Sequence, residues 1–261
     1  MNILVALRMV PDIVEELEVA PDGRGLDLEF ARMVLSESDD HALEQALILK
    51  ERHGGKVTVL ALDAPELDDV LFTALAKGAD RAIKITGAGE GVMTREAAHI
   101  LARVISNEPG LLPADLILSG TQAFDDLDGL IAPLLADELG LPFLGIVTNL
   151  DPDLSAGKAR TVKEYPGGVR GEFEVALPAV FGIQAAEKPP RYVPVAKVRA
   201  VMKSQKIESG PAPAMEEVGL SMIQVLEMTK PEVSGHAVML EGSFQQVSRE
   251  LCGILVERGL L

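Results

Sequence analysis

Residues 116–129 of the chain read LILSGTQAFDDLDG, and the fold can be worked out from this stretch. Leu116–Ser119 is a short apolar run of the kind that forms a buried strand. It passes directly into a loop of small and acidic residues. A helix is predicted next, over Asp128–Leu139, with Gly140 suited to ending it. A strand followed at once by a loop and a helix is the building unit of a parallel α/β sheet.

The same alternation of strand and helix precedes this stretch. Apolar runs predict strands at Ile3–Leu7, Lys56–Asp63 and Arg81–Ile85, and periodic apolar positions predict helices at Asp39–Arg52, Pro65–Lys77 and Thr94–Ile105. Right-handed crossovers then give an α/β fold of Rossmann-like type, with a doubly wound, mostly parallel sheet and helices on both faces. Such sheets bind ligands at the carboxyl ends of their strands.

The residues after 140 change character. Arg160–Glu164 and Glu172–Leu177 flank the turn Pro166-Gly167-Gly168, which predicts an antiparallel hairpin at the edge of the sheet. Pro178–Ile183 is another apolar run. Beyond residue 184 the pattern predicts an extended Pro-rich segment, a linker and a short helix, at Lys188–Pro194, Ser209–Pro213 and Ser248–Arg258.

Composition narrows the class of protein. The chain has 261 residues, of which 48% are hydrophobic and only 3% aromatic, so a folded domain with an aliphatic core is expected. The net charge of −16 argues against binding to nucleic acid or to anionic membranes. The N-terminus lacks the pattern of a signal peptide, no apolar run reaches the roughly 18 residues of a membrane span, and there is a single cysteine. We therefore expect a cytoplasmic protein without an intrachain disulfide.

Catalytic and metal-binding patterns are missing from the sequence. His41, His53, His99 and His236 share no ligand spacing, so no metal site is predicted. No G-x-S-x-G elbow occurs, and Cys252 falls in an apolar helical pattern, which favours a packed structural cysteine. Neither G-x-G-x-x-G nor a P-loop is found. The chain is therefore not predicted to carry catalytic residues of its own.

The loop Ser119–Gly129 has two interpretations. Its small residues would let the backbone approach a ligand, and the following helix would offer free N–H groups to an anion. Ser36–Asp39, Asp63 and the end of the first strand would meet it at the same edge of the sheet. Alternatively it is an ordinary acidic loop, since three aspartates oppose a phosphate. Taken alone, the pattern favours this second interpretation.

Short motifs along nearly the whole chain match one known family in order. They lie at Ile3–Arg8 with Pro11-Asp12, Ala42–Ala46 with Leu49-Lys50, Ala74–Ala82, Gln122–Asp126, Gly167-Gly168, Leu177–Val180, Pro190-Arg191-Tyr192 and Met239–Gly242. Each motif is weak, but together they resemble the beta subunit of electron-transfer flavoproteins, a family that includes nitrogen-fixation-associated homologues.

The resemblance implies an architecture and a set of partners. It implies an α/β domain of adenine-nucleotide-hydrolase-like topology at 1–186, a partner-recognition segment at 187–208, and a C-terminal arm at 209–261 that packs on an alpha subunit. The alpha subunit of the heterodimer would hold most of the FAD site, and this chain a structural AMP. Electrons would pass from flavin dehydrogenases, acting on acyl-CoA or related substrates, to a membrane quinone oxidoreductase or another acceptor. The chain itself would not insert into the membrane.

The resemblance also implies site residues. Those expected at the nucleotide are Ala6, Arg8, Ser36, Glu37, Ser38, Asp39, Asp63, Gln122, Ala123, Phe124, Asp125, Asp126, Leu127, Asp128, Gly129, Leu130, Ile131, Ala132, Pro133 and Leu134. Those expected to dock partners are Arg191, Tyr192, Val195, Lys197 and Val198, with Val195 as the anchor.

Departures from the family pattern leave alternatives open. Ser36-Glu37-Ser38 replaces Asn-Pro-aromatic, and Asp128-Gly129-Leu130 replaces polar residues that would face the phosphate. An interaction subunit with a decayed nucleotide site would explain these changes. Pro133 resembles the electron-bifurcating branch, in which a second FAD takes the place of AMP. A nucleotide-binding regulatory protein without flavin is the third alternative, and the motifs at Gly167-Gly168 and Pro190–Tyr192 disfavour it.

Overall fold

A computed structural model describes residues 1–88, 92–126, 129–214, 225–231, 235 and 237–261. The strands are β1 Asn2–Leu7, β2 Met9–Pro11, β3 Met33–Leu35, β4 Lys56–Leu62, β5 Arg81–Thr86, β6 Leu116–Gly120, β7 Phe143–Asp153, β8 Lys158–Tyr165, β9 Val169–Ala176, β10 Ala179–Ile183 and β11 Glu208–Pro211. The helices are α1 Glu37–His53, α2 Leu67–Lys77, α3 Thr94–Asn107, α4 Ile131–Leu139, α5 Val195–Ser204 and α6 Phe244–Glu257.

Nine strands form one sheet in the order β11-β5-β4-β1-β6-β10-β7-β8-β9. The strands from β11 to β7 are parallel, and β8 and β9 continue the sheet as an antiparallel hairpin around the turn Pro166–Gly168. The predicted α/β class and mostly parallel sheet are confirmed. β1 pairs with β4 on one side and β6 on the other, so the chain changes its winding direction at β1. Open α/β sheets bind ligands at such a point.

The core lies on both faces of this sheet because successive side chains in a strand point to opposite faces. In β1, Ile3, Val5 and Leu7 pack in a cluster with apolar residues of α1 and α2. Leu4 and Ala6 pack in a second cluster with α3 and α4. The described core is mostly aliphatic, with Phe181 among its largest buried side chains.

Several features differ from the sequence predictions, among them the unpredicted short strands β2 and β3. Helix α4 begins at Ile131, not at Asp128, because Leu130 already has non-helical dihedral angles; Asp128 itself lies outside the described residues. The predicted linker at Ser209–Pro213 instead contributes to β11, which pairs with β5 at the edge of the sheet. Edge strands tolerate proline, and Arg81 holds β11 in place by a bidentate contact with Glu208. Helix α5 and strand β7 were not predicted.

Helix α6 confirms the helical pattern but not the packing expected of Cys252. None of its side chains is buried within the described part of the chain, and Cys252 is exposed. The prediction of a packed cysteine was wrong because the apolar side chains of α6 do not pack against the described core. Among the described residues, no helix is both long and apolar enough to cross a membrane.

Candidate functional site

The carboxyl ends of β1 and β6 meet the first turn of α1. Because open α/β sheets bind ligands at such a point, we call this place the switch crevice. Gly120 ends β6 so close to α1 that a Cβ there would lie 2.1 Å from Ser38 Oγ. Only glycine therefore permits this approach. Ser38 Oγ then donates to the carbonyl of Gln122 at 2.8 Å, which ties the loop after β6 to the helix.

Asp39 is a buried carboxylate at the base of the switch crevice, 3% exposed. Its Oδ1 accepts from Gly120 N at 2.6 Å, while its buried Oδ2 makes no hydrogen bond of standard geometry with the described residues. Burial raises the pKa of Asp39 to about 6, and the nearby charge of Arg8 opposes this only in part. An ionised form that the fold disfavours is a recurring feature of functional sites.

Arg8 and Asp126 close one side of the crevice with an ion pair of 2.8 Å. Asp126 Oδ1 also accepts from Thr94 Oγ1 at 3.2 Å and from Gly129 N at 3.1 Å. Gln122 Nε2 donates to the carbonyl of Asp126 at 2.7 Å, so the loop is braced on both sides. A phosphate bound here would share Arg8 with Asp126, and this carboxylate would weaken the attraction between Arg8 and the phosphate.

The amino end of α4 supplies a further feature that suits an anion. Leu130 is its N-cap, the described residues provide no side-chain cap, and the first turn holds no acidic residue. The first N–H groups of a helix have no partner within it and carry a partial positive charge. The helix end and Arg8 fit a phosphate, and the carboxylates fit hydroxyl or amino donors, so the residues present fit a mononucleotide.

The structure brings together part of the predicted nucleotide set. Arg8, Ser36, Ser38, Asp39, Gln122 and Asp126 are linked by the contacts above and by the hydrogen bond from Ser36 N to the carbonyl of Arg8, 2.9 Å. Ala6 and Ala123 are buried, and Glu37, Phe124 and Asp125 are exposed. Asp63 is exposed beyond β4, with its carboxylate 3.8 Å from Lys84. In α4, Ile131 and Ala132 are buried, and Pro133 and Leu134 half-buried. Leu127 and Asp128 lie outside the described residues.

The residues predicted to dock partners fall into two groups. Tyr192 is 83% exposed and Val195 60% exposed, and Lys197 is exposed too. Val198 is half-buried, and Arg191 is turned onto α1, where it pairs with Glu44 and Glu51. The first group is available to a partner, whereas the contacts of Arg191 are within the chain.

Sequence reasoning missed a brace behind the crevice. Thr121 Oγ1 donates to the carbonyl of Gly182 at 3.0 Å and accepts from Ile146 N at 3.2 Å. Ile146 has φ of +59°, which a β-branched residue adopts only under strain. No sequence signal marks this position, because glycine or asparagine would be expected there. Thr94, whose Oγ1 donates to Asp126, is likewise not marked by any local sequence pattern.

Histidines are dispersed in the described structure. His41 Nδ1 accepts from Ala186 N, and His99 lies 3.1 Å from Glu138. His53 lies 4.0 Å from Asp151, and His236 is outside the described residues. In the described ranges, no cluster of His, Cys, Asp or Glu is arranged to hold a metal.

Comparisons with known proteins point to one family. A family model described as the electron transfer flavoprotein domain matches residues 28–215. The chain is 30% identical to the electron transfer flavoprotein subunit beta of Methylophilus methylotrophus, over 98% of both chains. It is 33% identical to the subunit of the same name from Clostridium acetobutylicum, over 76% of this chain and 74% of the relative. It is 26% identical to that of Bacillus subtilis, over 98% and 97%.

Proposed function

Because the chain belongs to the electron transfer flavoprotein domain family, we propose that it is the smaller, beta subunit of a heterodimeric electron carrier. Relatives that carry this name align with it almost from end to end. The alpha subunit holds most of the site for the redox-active FAD. The heterodimer takes electrons from flavin dehydrogenases and delivers them to a membrane quinone oxidoreductase or another acceptor.

AMP is the ligand that we assign to the switch crevice. The observation that carries this assignment is the approach of Gly120 to α1, which places a buried carboxylate, an arginine and the start of α4 around one point of winding reversal. Arg8 and the first N–H groups of α4 receive the phosphate.

An electron carrier needs a bound flavin near a partner's cofactor, and it does not need an acid–base pair in this subunit. FAD supplies the redox chemistry when bound, while the protein binds and orients it. The recognition segment, residues 187–208, supports this role because it presents Tyr192 and Val195 to solvent. Its helix α5 carries Lys197, Arg199 and Lys203 and no acidic residue, within a chain of net charge −16. An acidic partner surface with an apolar socket suits it.

The C-terminal arm, residues 209–261, is the part of the chain that we assign to the alpha subunit. In the described structure Phe244 is 88% exposed and Val256 59% exposed, and Leu251 is also exposed. A capping box formed by Ser243 and Gln246 stabilises the start of α6 even so. A well-capped helix with apolar side chains on its surface suits burial against another subunit.

Nucleotide counting tests the proposal. The chain is co-expressed with its alpha subunit, the complex is purified and denatured, and the released nucleotides are quantified by chromatography. One FAD and one AMP per heterodimer support the conventional carrier. Two FAD would replace it with the bifurcating alternative, and one FAD without AMP would identify a decayed crevice. A failure to form any flavin-containing complex would overturn the proposal.

A further inference from the structure

Residues 186–191, which lead into the recognition segment and begin it, lie along α1, where three successive contacts hold their backbone. Ala186 N donates to His41 Nδ1 at 3.2 Å, and Glu187 N donates to Gln45 Oε1 at 3.0 Å. Arg191 N donates to Glu44 Oε2 at 2.9 Å. His41, Glu44 and Gln45 occupy positions i, i+3 and i+4, which lie on one face of a helix. This face of α1 therefore provides side-chain acceptors for a segment with no strand partner.

Glu44 has the largest share of these contacts. Besides the backbone of Arg191, its carboxylate accepts from Arg191 Nε at 3.0 Å and from Nη2 at 2.8 Å. The side chain of Glu44 is only 4% exposed, whereas Glu51, which pairs with Nη1 of the same guanidinium, is 62% exposed. These carboxylates raise the pKa of Arg191 well above its ordinary value. The two glutamates thus contact one arginine from a buried and an exposed side.

A buried carboxylate on this part of α1 has no role in the apolar core. Its neighbours Leu43 and Leu47 are buried in the main cluster, and an apolar residue at position 44 would avoid the cost of desolvating a charge. What Glu44 provides instead is a fixed point for Arg191, four residues before α5 begins at Val195. Pro194, directly before the helix, limits the freedom of the connection. The connection into α5 is therefore held at Arg191 by Glu44, while α5 itself packs against α2.

The other end of α5 is held independently. Arg81 binds Glu208 through two contacts of 2.7 Å, and β11 pairs with β5. Between the two fixed ends, Val198 and Val201 are half-buried, while Val195 and Met202 are exposed. A change at Glu44 should therefore loosen the start of α5 and leave β11 in place.

We propose that Glu44 is a positioning residue for partner docking: its buried carboxylate fastens Arg191 to α1 and thereby presents α5 in a fixed place. The proposal rests on the proposed function in that it takes the recognition segment as the docking surface. Preorganisation of this kind lowers the entropy lost when a partner binds.

Hydrogen exchange in the complete heterodimer tests the fastening. In E44Q, amides of residues 186–198 should exchange roughly a hundredfold faster, because one partner of a buried ion pair is lost. E51Q is the matched control, and its exposed pair should change exchange by less than about threefold. Amides of β1 and β11 should be unchanged in both variants. Equal effects of E44Q and E51Q, or faster exchange throughout the sheet in E44Q, would overturn the proposal.

A double variant that leaves no unpaired charge at this place keeps the test valid if E44Q alone misfolds. If E44Q does not assemble, E44Q/R191Q removes both charges together and should fold while still exchanging faster at residues 186–198. Unchanged exchange in this double variant would refute the fastening by Glu44.

Steady-state electron transfer from a purified flavin dehydrogenase separates positioning from general stability. E44Q should raise the KM for the heterodimer about tenfold or more and leave kcat and FAD content unchanged. E51Q should behave as the unsubstituted protein does. Faster local exchange together with an unchanged KM would contradict the positioning role of Glu44 and would exclude the recognition segment as the docking surface. Absence of FAD from the unsubstituted heterodimer as well as from E44Q would instead show that the proposed function itself is wrong.

Discussion

The cost of keeping Asp39 ionised can be measured through Asp39→Asn. Burial raises the pKa of this carboxyl from an ordinary 3.8 to about 6. At about 1.4 kcal/mol for each pH unit, ionised Asp39 costs the fold roughly 3 kcal/mol at neutral pH. The sign follows from proton binding: the folded protein holds this proton more tightly than the unfolded chain does. The protonated form of Asp39 therefore contributes fully to the free energy of unfolding below about pH 4, and this contribution is lost as pH rises through about 6.

Asparagine does not titrate, so the comparison isolates this one group. The free energy of unfolding of the unsubstituted chain, minus that of D39N, should rise by roughly 2–3 kcal/mol between pH 7.5 and pH 4. Other carboxylates titrate equally in both proteins and cancel, as does any fixed cost of placing an amide beside Gly120. Urea denaturation followed by circular dichroism gives both values at each pH. A difference that is constant with pH, or that falls as pH is lowered, would refute the account of Asp39.

Three further substitutions probe the crevice and the docking surface. Gly120→Ala places a methyl group 2.1 Å from Ser38 Oγ, and chromatography of released nucleotides should show loss of AMP from the heterodimer; full retention would contradict the tight approach. Ile146→Gly should be more stable than Ile146→Ala by about 1–2 kcal/mol in denaturant melts, the reverse of the usual order in a strand, because of the positive φ; the usual order would disprove strain at this position. Val195→Asp should raise the KM for a flavin dehydrogenase about tenfold or more with nucleotide content unchanged, and an unaltered KM would exclude Val195 as an anchor.

Much of the sheet could be predicted because its strands are fully buried. β1, β4 and β6 are short apolar runs, β4 is followed by a strongly patterned helix, and β6 is followed by a loop of small residues. Their order alone implies a parallel sheet, and from it follows the edge at which a ligand would bind. The resemblance then supplied the residue numbers of the candidate site, which pattern alone would not have separated from an acidic loop.

The elements that were missed depend on contacts distant in sequence. β11 reads as a linker because Gly210 and Pro211 weaken its local strand propensity, and its pairing requires β5 and Arg81. Glu44 and Arg191 are 147 positions apart, so no local pattern relates them. The left-handed conformation of Ile146 is likewise imposed by its surroundings and contradicts its own propensity. The packing of Cys252 was mispredicted because an apolar pattern indicates that a helix face is to be buried but does not identify the surface that covers it.

The electron carrier that we propose accepts electrons from a flavin dehydrogenase through a heterodimer that contains this chain. The most direct test is to mix the oxidised heterodimer with excess substrate and a catalytic amount of a flavin dehydrogenase, and to follow the flavin absorbance. We expect the absorbance of the oxidised flavin to be lost completely, and an added electron acceptor to restore it. Flavin that stays oxidised in an intact heterodimer, although the dehydrogenase is active on a dye, would show that the heterodimer does not accept electrons from it.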